Sequence, residues 1–362
     1  MMKTTSVHSN SGGMALIMAM IAIFVMSALV AGFALSMKVE TRLAQNADSE
    51  QQLLWLGRSG MELARYVLAQ QLTIPNEPYD SLNQKWAGGS GSLAESNSVL
   101  SSISLDNYPV GDGTVSIKII DLERKVNINT AINPANSQMI QQALTLMGVD
   151  ASDISVVSDS ILDWIDADDL PRVAGAESDY YQGLAVPYYA KNAPIDDLSE
   201  LLLVKGVTPE MYWGSNATNH TPSVFQHKLG FGTAPGQAPD YPFGLVNIFT
   251  PISSGQININ TADATVLQMI PGVDQSTAES IIKLRAGPDG VDGTEDDIPF
   301  RDPAAALRSV GINNLQSTLY TVRSLTFEVH VTAQIGDYKR EYVAILYRKS
   351  GTDIQVLSFY WK

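Results

Sequence analysis

The sequence predicts an α+β fold in which a long N-terminal helix packs on an antiparallel sheet that carries a large, mainly α-helical inserted domain. The first observation is an uncharged apolar run at residues 14–37, followed by an amphipathic stretch. The second is the alternation of apolar and polar residues in two distant groups, at 115–119 and 327–361. The third is their separation by about two hundred residues of helical and loop patterns, which is too long for a simple loop.

The N-terminal region combines a polar leader with a membrane-length helix. Residues 1–13 are polar, and the apolar run that follows contains roughly 24 residues, enough for a helix to cross the ~30 Å apolar layer of a membrane. A secretory signal peptide has small residues after its apolar core, where it is cut. Here Gly12 and Gly13 precede the run, so cleavage after Gly13 leaves the helix on the protein. The alternative is an uncleaved signal anchor in which the glycines occur by chance.

This arrangement resembles the leader of type IV pilins and type II secretion pseudopilins. The resemblance implies that a prepilin peptidase cuts after Gly13 and that the new N-terminus at Met14 is methylated. In most pilin-like subunits the fifth mature residue is a glutamate that pairs with the N-terminal amine of the preceding subunit, whereas here it is Met18. An unpaired carboxylate is costly in a bilayer, so an apolar residue at this position indicates a tip subunit. The alternative is that Met18 is one more apolar residue of the helix.

The helix is predicted to continue well beyond the apolar run. Its apolar residues recur at helical spacing and form a stripe. The stripe consists of Leu43, Ala47, Leu54, Met61, Ala64 and Leu68. Pro75 and Pro78 are expected to end the helix, and the Gly- and Ser-rich segment 87–97 is predicted as a loop.

Four strands are predicted from period-two alternation. The first contains the apolar residues of 115–119, and the second runs from Phe327 to Ala333. A turn at Gly336 and Asp337 leads into the third strand at 342–347, and the last covers 354–361. The last three strands are expected to form a meander that the first strand joins.

The predicted insert contains an internal repeat. The tetrapeptide Asn-Ile-Asn-Thr occurs at 127–130 and again at 258–261, each time before a helical pattern that its Asn or Thr is expected to cap. Each copy leads to a short glycine turn, at Gly148 and at Gly272, and a third turn of this kind, at Gly206, follows a helical stretch.

The glycine turns resemble helix-hairpin-helix units, of which the best copy extends from Val266 to Arg285. True motifs hold a DNA phosphate with backbone amides of the turn. Here Asp274 replaces the usual second glycine, and the chain carries a formal net charge of −15, which disfavours phosphate binding. We therefore expect structural or protein-binding hairpins and no nucleic-acid partner.

The segment Gly287–Phe300 is the first candidate metal site. Its carboxylates repel one another unless a cation draws them together, and its glycines permit tight turns. Ca²⁺ prefers six to eight oxygen ligands, so we expect calcium here, although the spacing is not that of an EF-hand; the alternative is a solvated acidic loop. The candidate ligands are Asp289, Asp292, Thr294, Glu295, Asp296 and Asp297.

A second acidic group follows a predicted helix that contains Asp163 and Trp164. The same argument predicts a second calcium site, although Arg172 is expected to neutralise part of the charge. Asp163 is expected to face solvent at the end of the helix. The candidate ligands are Asp166, Asp168, Asp169, Glu177 and Asp179.

The residue types needed for catalysis form no known motif. The chain has no cysteine, which excludes disulfides, thiolate metal sites and a cysteine nucleophile. The histidines are His8, His220, His227 and His330. None stands in a recognised nucleophile or zinc motif, so we expect a protein that is not an enzyme.

Longer motifs resemble one particular family. These are D-W-I-D-A-D-D at 163–169, A-E-S-D-Y-Y at 176–181, K-N-A-P-I-D-D-L-S-E-L at 191–201, L-V-K-G-V-T-P-E at 203–210 and N-I-N-T-A at 258–262. Together with Gly13 and Met18 they are similar to the K-type minor pseudopilins of type II secretion systems. The resemblance implies a pilin-like fold with an α-helical insert, bound calcium, and a single-pass inner-membrane protein whose C-terminal domain lies in the periplasm.

The same resemblance implies partners and a domain plan. The expected partners are the I-type and J-type minor pseudopilins at the pseudopilus tip, the major pseudopilin below it, and the prepilin peptidase. The expected segments are a leader at 1–13, a transmembrane helix at 14–37, a first pilin-like part at 38–130, the insert at 131–318 and C-terminal strands at 319–362. Two alternatives remain open: a minor pilin of a type IV or DNA-uptake pilus, and a membrane-anchored, metal-dependent hydrolase.

Overall fold

One helix dominates the N-terminal region. The computed structural model describes residues 11–92, 94–134, 136–214, 241–312 and 318–362, with side chains from residue 14. Helix α1 spans Ser11–Gln71 without a break and ends shortly before Pro75. The part of it from Met14 onward is long and apolar enough to cross a membrane, and no residue of its apolar stretch is buried within the protein. The prediction of a long helix is therefore confirmed.

The second half of α1 packs on the inner face of a sheet. Its buried residues include Leu53, Met61 and Leu68. Two glycines allow the close approach: a Cβ at Gly57 would lie 2.4 Å from the Tyr342 ring, and one at Gly60 only 2.4 Å from Val331 Cγ1. The predicted stripe is wrong at its N-terminal end, where Leu43 and Ala47 are exposed. The first buried residue of α1 is Leu53, because the sheet contacts the preceding turns through polar side chains such as that of Tyr338.

A five-stranded antiparallel sheet forms the first domain with α1. Its strands are β1 (Tyr108–Val110), β2 (Gly113–Asp121), β7 (Thr326–Ile335), β8 (Tyr338–Arg348) and β9 (Ile354–Trp361), and they lie side by side in that order. The apolar residues that alternate along β2 and β7 point to α1 and are buried. The predicted meander, with the first strand joined to it, is confirmed.

Strand β8 runs alongside α1, and its contacts show which end of the sheet lies near the apolar run at residues 14–37. The Tyr338 hydroxyl donates to Asn46 Oδ1 at the start of the strand, and the Arg348 guanidinium donates to the Leu68 carbonyl at its end. The β7–β8 turn therefore lies at the end of the sheet that is near residues 14–37. The opposite end carries the last residue of β2 and the first residue of β7.

The segment between α1 and β1 packs against this domain. It contains 3-10 helices at Lys85–Ala87, Glu95–Asn97 and Val99–Ser102. Trp86 is buried in an edge-to-face contact with Phe327, with ring centroids 5.3 Å apart. The loop expected at 87–97 thus ends in a helical turn at Glu95–Asn97. The buried carboxylate of Glu95 holds this turn in place by accepting the N–H groups of Lys85 and Ser92.

The insert has its own core and is mainly helical. Its helices are α2 (Gln138–Met147), α3 (Ala151–Ile165), α4 (Ser178–Gln182), α5 (Pro209–Trp213), α6 (Leu245–Ile248), α7 (Ala264–Leu267), α8 (Gln275–Arg285) and α9 (Pro303–Ser309), with 3-10 helices at Ile128–Ile132 and Leu198–Leu203. The core extends from Val126 to Val322 and also takes in Tyr79, a few residues beyond the expected 131–318 on each side.

Two short parallel strand pairs divide the insert into two modules. In the first module, β3 (Val126–Asn127) pairs with β4 (Phe249–Thr250). In the second, β5 (Ile257–Asn258) pairs with β6 (Tyr320–Thr321). Each module therefore closes on itself, with its entry and exit side by side.

The repeated tetrapeptide begins each module with the same local structure. Asn127 Oδ1 accepts the N–H of Asn129 at 3.0 Å, and Asn258 Oδ1 accepts the N–H of Asn260 at 3.0 Å. The capping prediction is confirmed at Asn127. It is wrong in the second copy, where Asp263 accepts the Val266 N–H and caps α7.

Candidate functional site

The acidic segment after α3 is rooted in the core of the first module. Asp163 lies in the last turn of α3 and is fully buried. The Arg172 guanidinium donates to Asp163 Oδ1 at 2.6 Å and also pairs with Asp166. The expected neutralisation by Arg172 is confirmed. The expected exposure of Asp163 is wrong, because the loop folds back over it and leaves space only for a glycine at Gly175, whose Cβ would lie 1.9 Å from Asp163 Oδ2.

Three carboxylates of this segment converge. Oxygen atoms of Asp166, Asp168 and Glu177 lie within 4.8 Å of one another, the only such metal-type group in the described residues. Both carboxylate oxygens of Glu177 are buried without a hydrogen-bond donor, and so is Asp166 Oδ1. Buried polar atoms are nearly always paired, so orphaned oxygens beside two further carboxylates mark a position that suits a cation.

The electrostatics of Glu177 agree with this geometry. Burial, together with the negative charges of Asp163, Asp166, Asp169 and Asp168, raises its pKa to about 8. A divalent cation would supply the missing positive charge and hold the carboxylate ionised. Oxygen ligands from carboxylates are what Ca²⁺ prefers.

The other two predicted ligands of this site are arranged differently. Asp169 Oδ1 accepts the Ser178 N–H at 3.2 Å and the Asn192 side-chain amide at 3.4 Å, and hydrogen bonds from Ser178 lower its pKa. Asp179 lies exposed in the first turn of α4. The structure thus brings together three of the five predicted ligands.

The acidic loop after α8 is organised by an arginine. The buried Arg285 guanidinium donates to both oxygens of Asp292 at 2.9 and 2.7 Å and to the carbonyls of Ile259 and Ala262. This bidentate pair binds the loop to the start of the second module.

The remaining carboxylates of this loop do not converge with Asp292. Asp289 Oδ1 accepts the Val291 N–H, and Asp297 accepts N–H groups of Gly293 and Thr294. Asp296 accepts the Asp289 N–H and the Thr294 hydroxyl, while Glu295 is exposed. Calcium in this loop stays a prediction, and the geometry favours the segment after α3.

The glycine turn before α8 has the left-handed glycine of a hairpin and an acidic helix cap. Gly272 has φ +87°, the left-handed conformation that favours glycine. Asp274 caps α8, and its Oδ1 accepts the Thr277 N–H at 2.8 Å. An acidic side chain therefore occupies the N-terminus of α8, and the expectation of no nucleic-acid partner stays a prediction.

A buried polar network joins the insert to the sheet. Asp121 Oδ2, at the end of β2, accepts the hydroxyls of Thr261 and Ser324 and the amide of Asn258. Both oxygens of Glu123 accept backbone N–H groups, one from Ser254 and one from Thr326.

An ion pair completes this junction. Arg348 donates to Asp80 at 2.5 Å, and both side chains are 1 % exposed. Asp80 also accepts the Ser324 N–H, while Arg348 donates to the Ser324 carbonyl. The sequence analysis missed this network because its members are far apart in the chain. Its only sequence signal is the pair of acidic residues, Asp121 and Glu123, at the end of a predicted strand.

The N-terminal candidates are only partly described. Met14 and Met18 lie on the exposed surface of α1. Gly13 lies within the range of α1, and residues 1–10 of the predicted leader lie outside the described residues, so the cleavage site stays a prediction.

Of the histidines, His220 and His227 lie outside the described residues. His330 Nε2 and Nδ1 contact Glu328 and Glu341 at 2.5 and 2.8 Å.

Comparisons with known proteins agree on one family. A family model described as type II secretion system (T2SS), protein K matches residues 119–214, and a helix-hairpin-helix motif model matches residues 253–291. The type II secretion system protein K of Pseudomonas aeruginosa is 25% identical over 96% of this chain and 92% of its own length. The protein K of Aeromonas hydrophila is 27% identical over 56% of this chain and 61% of its own length.

A solved structure has the same fold. A chain of the GspK-GspI-GspJ complex from the type 2 secretion system of enterotoxigenic Escherichia coli matches with a TM-score of 0.60 at 20% identity, covering 88% of this chain and 99% of that one. The family model falls on the start of the insert, and the hairpin model falls on the second repeat. The chain is therefore similar to type II secretion system protein K in sequence over nearly its whole length, and it has the fold of a chain of the GspK-GspI-GspJ complex.

Proposed function

We propose that this minor pseudopilin caps the tip of the pseudopilus and helps to initiate or limit its assembly for protein export across the outer membrane. The observation that carries the proposal is the place of the insert. It is joined to the sheet where β2 ends and β7 begins, the end farthest from residues 14–37. Subunits of a thin filament stack along their long helices, so an insert at the distal end occupies the space of the next subunit.

The apolar helix supports the same position. Residues 14–37 contain no charged residue, and Met18 stands where most pilin-like subunits carry the glutamate that pairs with a neighbour. A subunit with nothing above it has no partner for such a carboxylate, and an unpaired one destabilises a membrane helix. The terminal position thus accounts for both the distal insert and the apolar residue 18.

The proposed partners are I-type and J-type minor pseudopilins, with the major pseudopilin below them. The support is the fold match to a chain of a complex that contains GspI and GspJ. We also propose that the prepilin peptidase cuts after Gly13 and that Met14 is methylated. The helix at 14–37 then anchors the chain in the inner membrane with its C-terminal domain in the periplasm.

Copy number tests the tip position. Pseudopili sheared from cells are fractionated by length, and this chain and the major pseudopilin are quantified by mass spectrometry. A tip subunit gives one copy per filament whatever the length. A copy number that rises in proportion to length would show that the chain stacks repeatedly and would refute the proposal. A chain with Met18→Glu, compared in the same assay, tests whether residue 18 restricts the chain to the end.

We further propose that Ca²⁺ binds at Asp166, Asp168 and Glu177. The support is the pair of orphaned, buried Glu177 oxygens beside two further carboxylates. Bound calcium would neutralise the cluster and hold the loop after α3 against its own module. The cation has a structural role here, because it compensates negative charges that the fold has buried.

Thermal unfolding with calcium or with a chelator tests this site. At a calcium concentration of about 100 times the Kd, binding stabilises by about 2.7 kcal/mol, which raises the Tm by several degrees for a domain of this size. Glu177→Gln should lose this response, whereas the matched control Glu295→Gln, in the other acidic loop, should keep it. The opposite pattern would place calcium in the loop after α8, and no response in the unaltered chain would exclude both sites.

A further inference from the structure

The loop between Asp168 and Glu177, two members of the carboxylate cluster, exposes apolar side chains. Leu170 is 76% exposed and Val173 is fully exposed. Between them, Arg172 turns inward to pair with Asp163 and Asp166. The loop therefore binds its charged side chain to two carboxylates, one of them buried, and leaves two neighbouring apolar side chains in solvent. We name residues 170–173 the apolar finger.

Backbone hydrogen bonds hold the apolar finger in this conformation. Two of its N–H groups and that of the next residue, Ala174, donate to carboxylates at the base of the loop. Leu170 donates to Asp168 at 3.0 Å, Arg172 to Asp163 at 3.2 Å and Ala174 to Asp159 at 3.1 Å. Lys205 Nζ donates to the carbonyls of Ala174 and Gly175. A segment ordered before binding loses little conformational entropy when it binds, so the finger is suited to act as an anchor.

The surroundings of the finger are strongly acidic. Residues 159–179 contain seven acidic residues and one arginine, and with Lys205 at the base of the finger the formal charge is −5. A divalent cation at the carboxylate cluster would reduce this to −3. The complementary surface therefore carries positive charge whether or not the cation is bound.

The exposed aromatic ring of Tyr180 lies beside the finger. Lys205 Nζ stands 5.0 Å from the centroid of the Tyr180 ring, which is 43% exposed. Because the same lysine binds the carbonyls of Ala174 and Gly175, the ring lies next to the base of the finger. Aromatic side chains within a polar rim are typical of the energetic centre of a protein interface.

We propose that the apolar finger inserts into an apolar pocket rimmed by lysine or arginine on a partner protein. Leu170 and Val173 fill the pocket, and the acidic residues around them face its basic rim. This inference rests on the proposed function only in that the chain works in a protein assembly, and it does not require the tip position.

Photo-crosslinking in cells tests the contact directly. A photoreactive amino acid replaces Val173 in the full chain, and the crosslinked peptide of the partner is identified by mass spectrometry. The matched control replaces Val291, a 56% exposed valine in the other acidic loop. We expect position 173, but not position 291, to give one partner peptide that combines apolar residues with lysine or arginine. A second copy of this chain, an acidic peptide, no product, or equal products at both positions would overturn the proposal.

Serine variants then measure what the contact contributes. The double variant Leu170→Ser and Val173→Ser removes the apolar anchors and should weaken partner binding at least about tenfold, with unchanged Tm. Val291→Ser should change nothing. Co-purification of the variant with I-type and J-type pseudopilins is scored separately, so the finger and the proposed assembly can fail independently. Full crosslinking yield with the partner at raised salt would refute the basic rim, because screening weakens such attraction.

Discussion

The ion pair between Asp80 and Arg348 gives the sharpest prediction about how the insert is held on the sheet. Asp80→Ala removes the carboxylate from an arginine that is almost completely buried. Arg348 keeps its bonds to the carbonyls of Leu68 and Ser324, but its charge then has no counterion. Breaking a buried pair by removing one partner costs about 3–5 kcal/mol. For domains of this size that loss lowers the Tm by about 6–20 °C.

Thermal and urea unfolding of the full chain in detergent measure this effect. Glu62→Ala is the matched control, because its pair with Arg65 lies on the surface of α1 with side chains 56% and 35% exposed. Such a pair contributes about 1 kcal/mol or less. Asp80→Asn separates charge from shape, since it keeps a side chain of the same size beside Arg348. If Asp80→Ala and Glu62→Ala lowered the stability equally, the argument that the junction depends on a buried charge pair would be refuted.

Three further predictions concern packing, titration and assembly. Gly60→Ala places a methyl group 2.4 Å from Val331 Cγ1, which should destabilise by about 1–3 kcal/mol; adding Val331→Ala should restore part of the loss in urea unfolding. Burial raises the pKa of Glu123 to about 8, so the folded state binds an extra proton between its unfolded pKa and that value. Glu123 should therefore lower the stability as pH rises through this window, by up to about 1.4 kcal/mol per pH unit. Glu123→Gln should remove that share of the slope and leave the share of Glu177, whose pKa is also raised to about 8. Met18→Glu should reduce secretion of a reporter enzyme while leaving the soluble domain's Tm unchanged; normal secretion would remove the functional argument from residue 18.

The sheet and the long helix were predictable because their signals are local. Alternation along β2 and β7 reports one buried face, and the Gly336-Asp337 turn fixes the pairing of β7 with β8. How much of α1 is buried depends instead on how far the sheet extends along the helix, and residues near one another in the sequence do not report this. Leu43 has the same spacing as the buried residues, but the sheet does not reach it.

The acidic candidates were found by composition, but composition does not say which partner each carboxylate has. Asp292 and Asp166 stand in similar acidic segments, yet Arg285 donates to both oxygens of Asp292, whereas Arg172 donates only to Oδ2 of Asp166 and its Oδ1 has no donor. That difference depends on where the arginine side chains reach. A single sequence records neither the direction of Arg285 nor the orphaned oxygens of Glu177.

The two modules differ in their attachment, although they begin with the same tetrapeptide. Asn258 donates to Asp121 and to Ser324, both in the junction network, so the second module is bound directly to the sheet. Asn127, its counterpart, donates to the Ser253 carbonyl in the segment between the modules. The same local turn thus serves the junction in one copy and an intermodule contact in the other. The carboxylate cluster of Asp166, Asp168 and Glu177 and the apolar finger both belong to the first module. The surface proposed to bind a partner is therefore carried on the module that the repeated tetrapeptide does not bind to the sheet.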